Sequence, residues 1–217
     1  MMSSSSRVGK RLSERLKSLR KYHHKQPHIW DIGCDHGLLG MSFYDNEEVK
    51  RIHLVDPSAA VIERLKTNYK DSYITDGKLI IIHSKGQNIK IDTLSNCIFI
   101  AGMGGKEMGE IIDHILPQLD PDSQLVISPH RKILELREKL KHMPVSLVTE
   151  EVIHDENQFY QIMVLRPGSG EKVSSFGEEL WKSEVGEMYR LQQLNIYGPH
   201  KDNISIRYLE YLKNMVI

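Results

Sequence analysis

The sequence predicts an α/β protein: an open, seven-stranded sheet, mostly parallel with one antiparallel strand, flanked by helices and followed by a short helical appendage. Three observations predict it. Short apolar segments alternate with helical patterns from His28 to Leu140, the order expected of successive parallel βαβ units. The first of them, His28-Ile29-Trp30-Asp31-Ile32, runs into Gly33-Cys34-Asp35-His36-Gly37, a glycine-bearing turn that opens a helix at Leu38. The last two, residues 146–152 and 159–166, are separated by little more than Asp155-Glu156-Asn157-Gln158, so they must lie antiparallel.

Residues 1–25 are the compositional outlier. Arg7, Lys10, Arg11, Arg15, Lys17, Arg20, Lys21 and Lys25 face a single acid, Glu14, while Val8, Leu12, Leu16 and Leu19 recur at helical spacing. This is a basic amphipathic helix whose apolar stripe docks on the domain. Its outer face either meets a phosphate backbone, through Arg7, Arg11 and Arg15, or is simply solvated. His23, His24 and His28 have no cysteine or carboxylate at ligand spacing, so no metal site is expected.

In the turn after the first strand, Gly33 and Gly37 allow close approach of backbone to a ligand. Asp35 stands where a dinucleotide fingerprint has its second glycine, and a carboxylate is a poor neighbour for a pyrophosphate. It suits a cationic ligand. The pattern Asp31-x-Gly33-x-Asp35-x-Gly37 resembles motif I of class I S-adenosylmethionine (SAM) methyltransferases, with one glycine replaced.

Residues 51–56 form a second strand that ends in Asp56, placed either to accept hydrogen bonds from ribose hydroxyls or, before Pro57 and Ser58, to start the next helix over 58–69. A third strand, 78–83, is followed by Gly86 and Gln87 at the turn. The fourth, 96–101, is a continuous apolar run suited to a strand buried on both faces, and it stops at Gly102-Met103-Gly104-Gly105. Three glycines in four residues imply either close approach to something flat or a strained turn against the helix that follows to Leu116. The fifth strand, 124–128, ends in Pro129-His130. After the linker-like Pro167-Gly168-Ser169-Gly170, residues 178–194 and 203–215 read as helices too few to own a sizeable core. The expected division is therefore residues 1–25 as the N-terminal helix, 26–168 as the main domain and 169–217 as the appendage.

The chain has 217 residues, 40% of them apolar, with 29 basic and 29 acidic side chains. That balance excludes a uniformly basic nucleic-acid binder but leaves room for a local basic face. No apolar run reaches the ~20 residues of a membrane helix. Residues 1–6 lead into charged residues instead of the apolar stretch of a secretory signal, and Cys34 and Cys97 form no disulfide framework, so the cytoplasm is the expected compartment.

Taken together, Asp31-Ile-Gly-Cys-Asp-His36, Ile100-Ala-Gly-Met-Gly-Gly105, the Leu136-Arg137 helix after Ser-Pro-His, and Asp155-Glu-Asn-Gln-Phe-Tyr-Gln-Ile-Met-Val-Leu165 resemble the bacterial tRNA (adenine(22)-N1)-methyltransferases, the TrmK-type family. The resemblance covers about residues 8 to 168. It departs at Ser128-Pro129-His130, where the family has Gln-Pro-Asn. It implies a Rossmann-like class I methyltransferase that binds SAM, releases S-adenosylhomocysteine and methylates N1 of adenine 22 in the D-arm of tRNA. The cofactor residues would be Asp31, Gly33, Asp35, Gly37, Asp56, Pro57, Gly86, Gln87, Ala101 and Gly102. Asp35, His36, Met103 and Gly104 would lie at the reacting centre, unless His36 only caps its turn. Arg7, Arg11, Arg15, Gly105, His130 and Asp155 would meet the substrate. Other readings compatible with the sequence are a SAM-dependent methyltransferase of a small molecule or protein, and a SAM-binding module without catalysis.

Overall fold

The computed structural model describes residues 12–69 and 76–215. Its strands are β1 (His28–Ile32), β2 (Arg51–Asp56), β3 (Leu79–His83), β4 (Asn96–Ala101), β5 (Gln124–Ser128), β6 (Val145–Asp155) and β7 (Gln158–Pro167). They form one sheet in the order β3-β2-β1-β4-β5-β7-β6. The neighbours among β1 to β5 pair in parallel, and β7 runs antiparallel to both β5 and β6. The predicted hairpin is thus present, with β7 inserted between β5 and β6. The strand order reverses between β1 and β4, which opens a crevice at their carboxyl ends.

Every residue of β5 is buried, as are all but the last of β4, which explains their unbroken apolar runs. Side chains of alternate parity feed two cores. Trp30, Ile98, Ile100, Met108 and Ile112 fill one face of the sheet, while Ile29, Leu39, Leu54, Leu65 and Phe99 fill the other.

The helices are α1 (Glu14–Arg20), α2 (Leu38–Met41), α3 (Ala59–Asn68), α4 (Gly105–Ile115), α5 (Ile133–Lys141), α6 (Glu184–Tyr197) and α7 (Asn203–Asn214). Leu19 of α1 is fully buried in the second core, so this helix belongs to the domain it covers. Ser58, not Asp56, caps α3, its hydroxyl accepting from Val61 N at 3.4 Å. The helix expected from residue 178 begins later, at Glu184. The hydroxyl of Ser183 accepts from Gly186 N at 3.0 Å and sets that start, and a short 3-10 turn, Leu180–Lys182, precedes it.

The appendage shares a third core with the domain. Leu180, Trp181, Tyr189, Tyr208 and Leu212 pack on Ile133, Leu134 and Val152. Arg137 of α5 ties this region together from complete burial, donating to Glu150 Oε2 at 2.5 and 2.8 Å and to the Ser174 carbonyl at 3.1 Å. No described helix is long and apolar enough to cross a membrane.

Candidate active site

The crevice is built first by the turn after β1. Gly33 has φ +73° and donates its N–H to the Val55 carbonyl at 2.8 Å, which folds the turn back over the end of β2. A Cβ on Gly33 would sit 2.8 Å from Met103 Cε, so the two glycine-rich loops of the sequence touch at this point. Sequence reasoning passed over Gly40. Its N–H donates to Asp31 Oδ2 at 2.9 Å, and a Cβ there would meet Leu54 Cδ2 at 2.5 Å. A glycine inside a helix start, which costs about 1 kcal/mol of helix propensity relative to alanine, was the available signal.

Asp31, at 6% exposure, is the chemical centre of the crevice. Burial pushes its carboxyl up to about 7, the Gly40 amide opposes the shift, and nearby Asp56 adds to it. Asp56 is also buried. Its Oδ1 accepts from Ser58 N at 2.9 Å and its Oδ2 from Asp35 N at 3.2 Å, so one carboxylate positions both the start of α3 and the glycine turn. Pro57 is exposed beside it, its carbonyl 3.0 Å from His83 Nε2.

Asp35 takes a positive φ of 47° and turns its carboxylate outward to Arg64 at 2.6 Å and His36 Nε2 at 3.6 Å. Asp35 and His36 line the mouth of the crevice with their side-chain ends in solvent. Gly86 is buried under Ile111 and Ile32, while Gln87 reaches Glu110 at 3.5 Å.

The second loop is locked to the end of β5. Gly102 N donates to Ser128 O at 3.2 Å, His130 N to Met103 O at 2.9 Å and Gly105 N to Arg131 O at 2.8 Å. Gly104 bridges to Arg131. Gly105 is a packing glycine, because a Cβ there would lie 2.3 Å from the Lys132 carbonyl oxygen. Ser128 and Pro129 are buried, whereas the His130 ring is exposed and packs edge-on against Tyr160 at 5.8 Å.

Arg15 departs from expectation. Its side chain does not lie on an outer basic face but enters the crevice, where the guanidinium donates to Ser128 O at 3.0 Å and sits 4.4 Å over the Tyr160 ring. The cause is Asp155, whose carboxylate accepts from Arg15 N at 3.0 Å and pins the first turn of α1 to the β6–β7 hairpin. Asp155 is therefore occupied by α1. Other basic side chains of this segment also have internal partners: Lys17 pairs with Glu14, Arg20 lies over Phe43, and Lys21 meets Glu151 at 2.6 Å. Arg7 and Arg11 lie outside the described residues.

Arg15, Asp31, Gly33, Asp35, His36 and Ala101 surround a cavity of about 200 Å³. It presents a guanidinium and a buried carboxylate to one small space, with backbone where a glycine leaves room. A molecule carrying both a carboxylate and an ammonium fits that pair of charges.

The profile of the methyltransferase domain family matches residues 12–163, well over half of the chain. The chain is 23% identical over 174 residues to the tRNA (adenine(22)-N(1))-methyltransferase of Bacillus subtilis (strain 168), a match covering 73% of this chain and 66% of that relative. The crystal structure of the B. subtilis M1A22 tRNA methyltransferase TrmK is similar at a TM-score of 0.73 and 20% identity, over 94% of this chain and 95% of that one. M. capricolum TrmK in complex with S-adenosyl-homocysteine gives the same TM-score and identity, over 94% and 93%. The N-methyltransferase NodS from Bradyrhizobium japonicum WM9 is similar over 71% of this chain and 93% of its own, with a TM-score of 0.56 and 15% identity. The crevice at the β1–β4 reversal and the family profile lead to one conclusion: this chain belongs to the methyltransferase domain family.

Proposed function

We propose that the chain works in the cytoplasm as a SAM-dependent tRNA methyltransferase, transferring methyl to N1 of adenine 22. The observation that carries the cofactor reading is the pairing of the buried Asp31 carboxylate with the Arg15 guanidinium in one cavity. Asp31 would hold the ammonium of the methionine end and Arg15 its carboxylate. Asp56 would receive the ribose hydroxyls, with Pro57, Gly86 and Gln87 toward the adenine. The tRNA reading is supported by the named function of the B. subtilis relative.

The bound cofactor supplies an electrophilic methyl group. Neutral adenine N1 carries an in-plane lone pair, so this chain's residues need only align the base and need no base catalyst. Ala101, Gly102, Met103 and Gly104 would form the floor on which the target adenine rests, with Gly105 N fixing that loop on the Arg131 carbonyl. The product base is cationic. The Asp35 carboxylate at the mouth, beside His36, would stabilise the developing charge. His130 would approach the substrate from beside Tyr160, against which its ring packs edge-on.

Incubation with labelled SAM and unmodified tRNA, followed by nucleoside analysis, is expected to yield 1-methyladenosine. No transfer to tRNA, with SAM binding shown by calorimetry, would overturn the substrate. Arg15→Ala is expected to weaken SAM binding about tenfold, the scale of one lost charge-assisted hydrogen bond, and Arg15→Lys to recover part of it. Unchanged affinity in both variants would remove Arg15 from the cofactor site.

A further inference from the structure

Beside the crevice lies a second, larger groove, of about 500 Å³, between the Pro129–Ile133 segment, the β6–β7 turn and α6. Its lining includes Arg131, Lys132, five Asn or Gln side chains and several aromatic rings, and no carboxylate, although the chain carries 29 acids. Lys132 lies 3.6 Å from Glu135, outside the groove, while Arg131 forms no ion pair among the described residues. A surface with cations, amides and rings but no acids suits a polyanion whose bases are exposed.

Gln193 gives the independent observation. It is 5% exposed, lines the groove, and makes no side-chain hydrogen bond among the described residues. Its neighbour in the lining, Gln161, is satisfied, donating to Tyr189 Oη at 3.1 Å. The Gln193 stem is buried but its amide atoms are not sealed from solvent, so they open onto the groove with a donor and an acceptor free for a ligand.

We infer that this groove holds a nucleotide adjoining the target adenine, with its base edge on Gln192 and Gln193, its ring against Phe159 or Tyr197, and its phosphate at Arg131. The inference rests on the tRNA reading above. Between groove and crevice lie His130, Tyr160 and Arg15, the His130 ring edge-on to Tyr160 and the Arg15 guanidinium over the Tyr160 face. An RNA strand that delivers one base into the crevice must cross these side chains, and its next nucleotide then reaches the groove. An amide carries both a donor and an acceptor, as a Watson–Crick edge does, and unstacked bases in RNA are commonly held in this way.

The test measures tRNA affinity for Gln193→Ala and for the double variant Gln192→Ala/Arg131→Ala. It uses an intact transcript and two transcripts that are abasic on one or the other side of the target. Both protein variants are expected to weaken tRNA binding at least about fivefold with SAM affinity and melting temperature unchanged. One abasic transcript should lose affinity for the wild type but not for the variants. Should Gln193→Ala fail to fold, the double variant carries the same comparison. Variants that bind intact tRNA as the wild type does, or abasic losses identical in wild type and variants, overturn the groove. Absence of any methyl transfer to tRNA by the wild type would instead overturn the tRNA reading itself.

Discussion

Asp31→Asn is expected to weaken SAM binding about 100-fold while making the cofactor-free protein more stable at pH 8. Both effects have one cause. The carboxyl is pushed up to about 7 by burial, from an ordinary value of 3.8, so the folded chain holds this proton more tightly than the unfolded chain does. Stability on that account is fully present below pH 3.8 and declines as pH rises towards 7, by up to about 4 kcal/mol. Asparagine removes the buried charge, and its carbonyl can still accept from Gly40 N. Thermal melts should therefore show the variant above the wild type at pH 8 and level with it at pH 4. A ligand ammonium needs the ionised carboxylate, so wild-type SAM affinity should fall as pH drops below about 7, and the variant should bind weakly without that dependence. Calorimetry across that range checks it. A variant that binds SAM like the wild type would remove Asp31 from the cofactor site.

Arg137→Ala is expected to cost about 3–5 kcal/mol, because it leaves the carboxylate of Glu150 buried without its partner. The guanidinium is fully buried, Glu150 shows 1% side-chain exposure, and the pair holds β6 against α5. Burial already raises the Glu150 carboxyl and Arg137 opposes the rise, so in the variant Glu150 takes up a proton more readily. The loss should accordingly be smaller in mild acid than at pH 8, where denaturant unfolding measures it. Arg137 also reaches the Ser174 carbonyl, and Gln161 links the same cluster to Tyr189, so proteolysis should cut the variant first in the segment leading to α6. A variant as stable as the wild type at pH 8 would show that the pair is dispensable.

The sheet was legible in the sequence because each strand is a bounded apolar run and the central ones are buried on both faces. The antiparallel insertion was legible from the shortness of the link at Asp155-Glu156-Asn157-Gln158. Asp31, Asp56 and the two glycine loops were placed correctly relative to one another, since strand ends in a doubly wound sheet converge at the reversal of order. What escaped were properties set by distant partners. The inward course of Arg15 depends on Ser128 and on Asp155, 113 and 140 residues away. The packing of Gly105 against the Lys132 carbonyl was not legible, because a glycine run carries no record of which neighbour approaches it. The late start of α6 follows from one Ser183 cap against a helical pattern that continued upstream. Gln193, on a helix of weak amphipathicity, became visible only when α6 was seen to wall a groove.

The most direct measurement compares methyl transfer from labelled SAM to two otherwise identical tRNA transcripts, one with adenine and one with guanine at position 22. Label recovered as 1-methyladenosine from the first and none from the second is the expected result. Equal labelling of both transcripts, or none in either while the protein binds SAM, would contradict methylation of adenine 22.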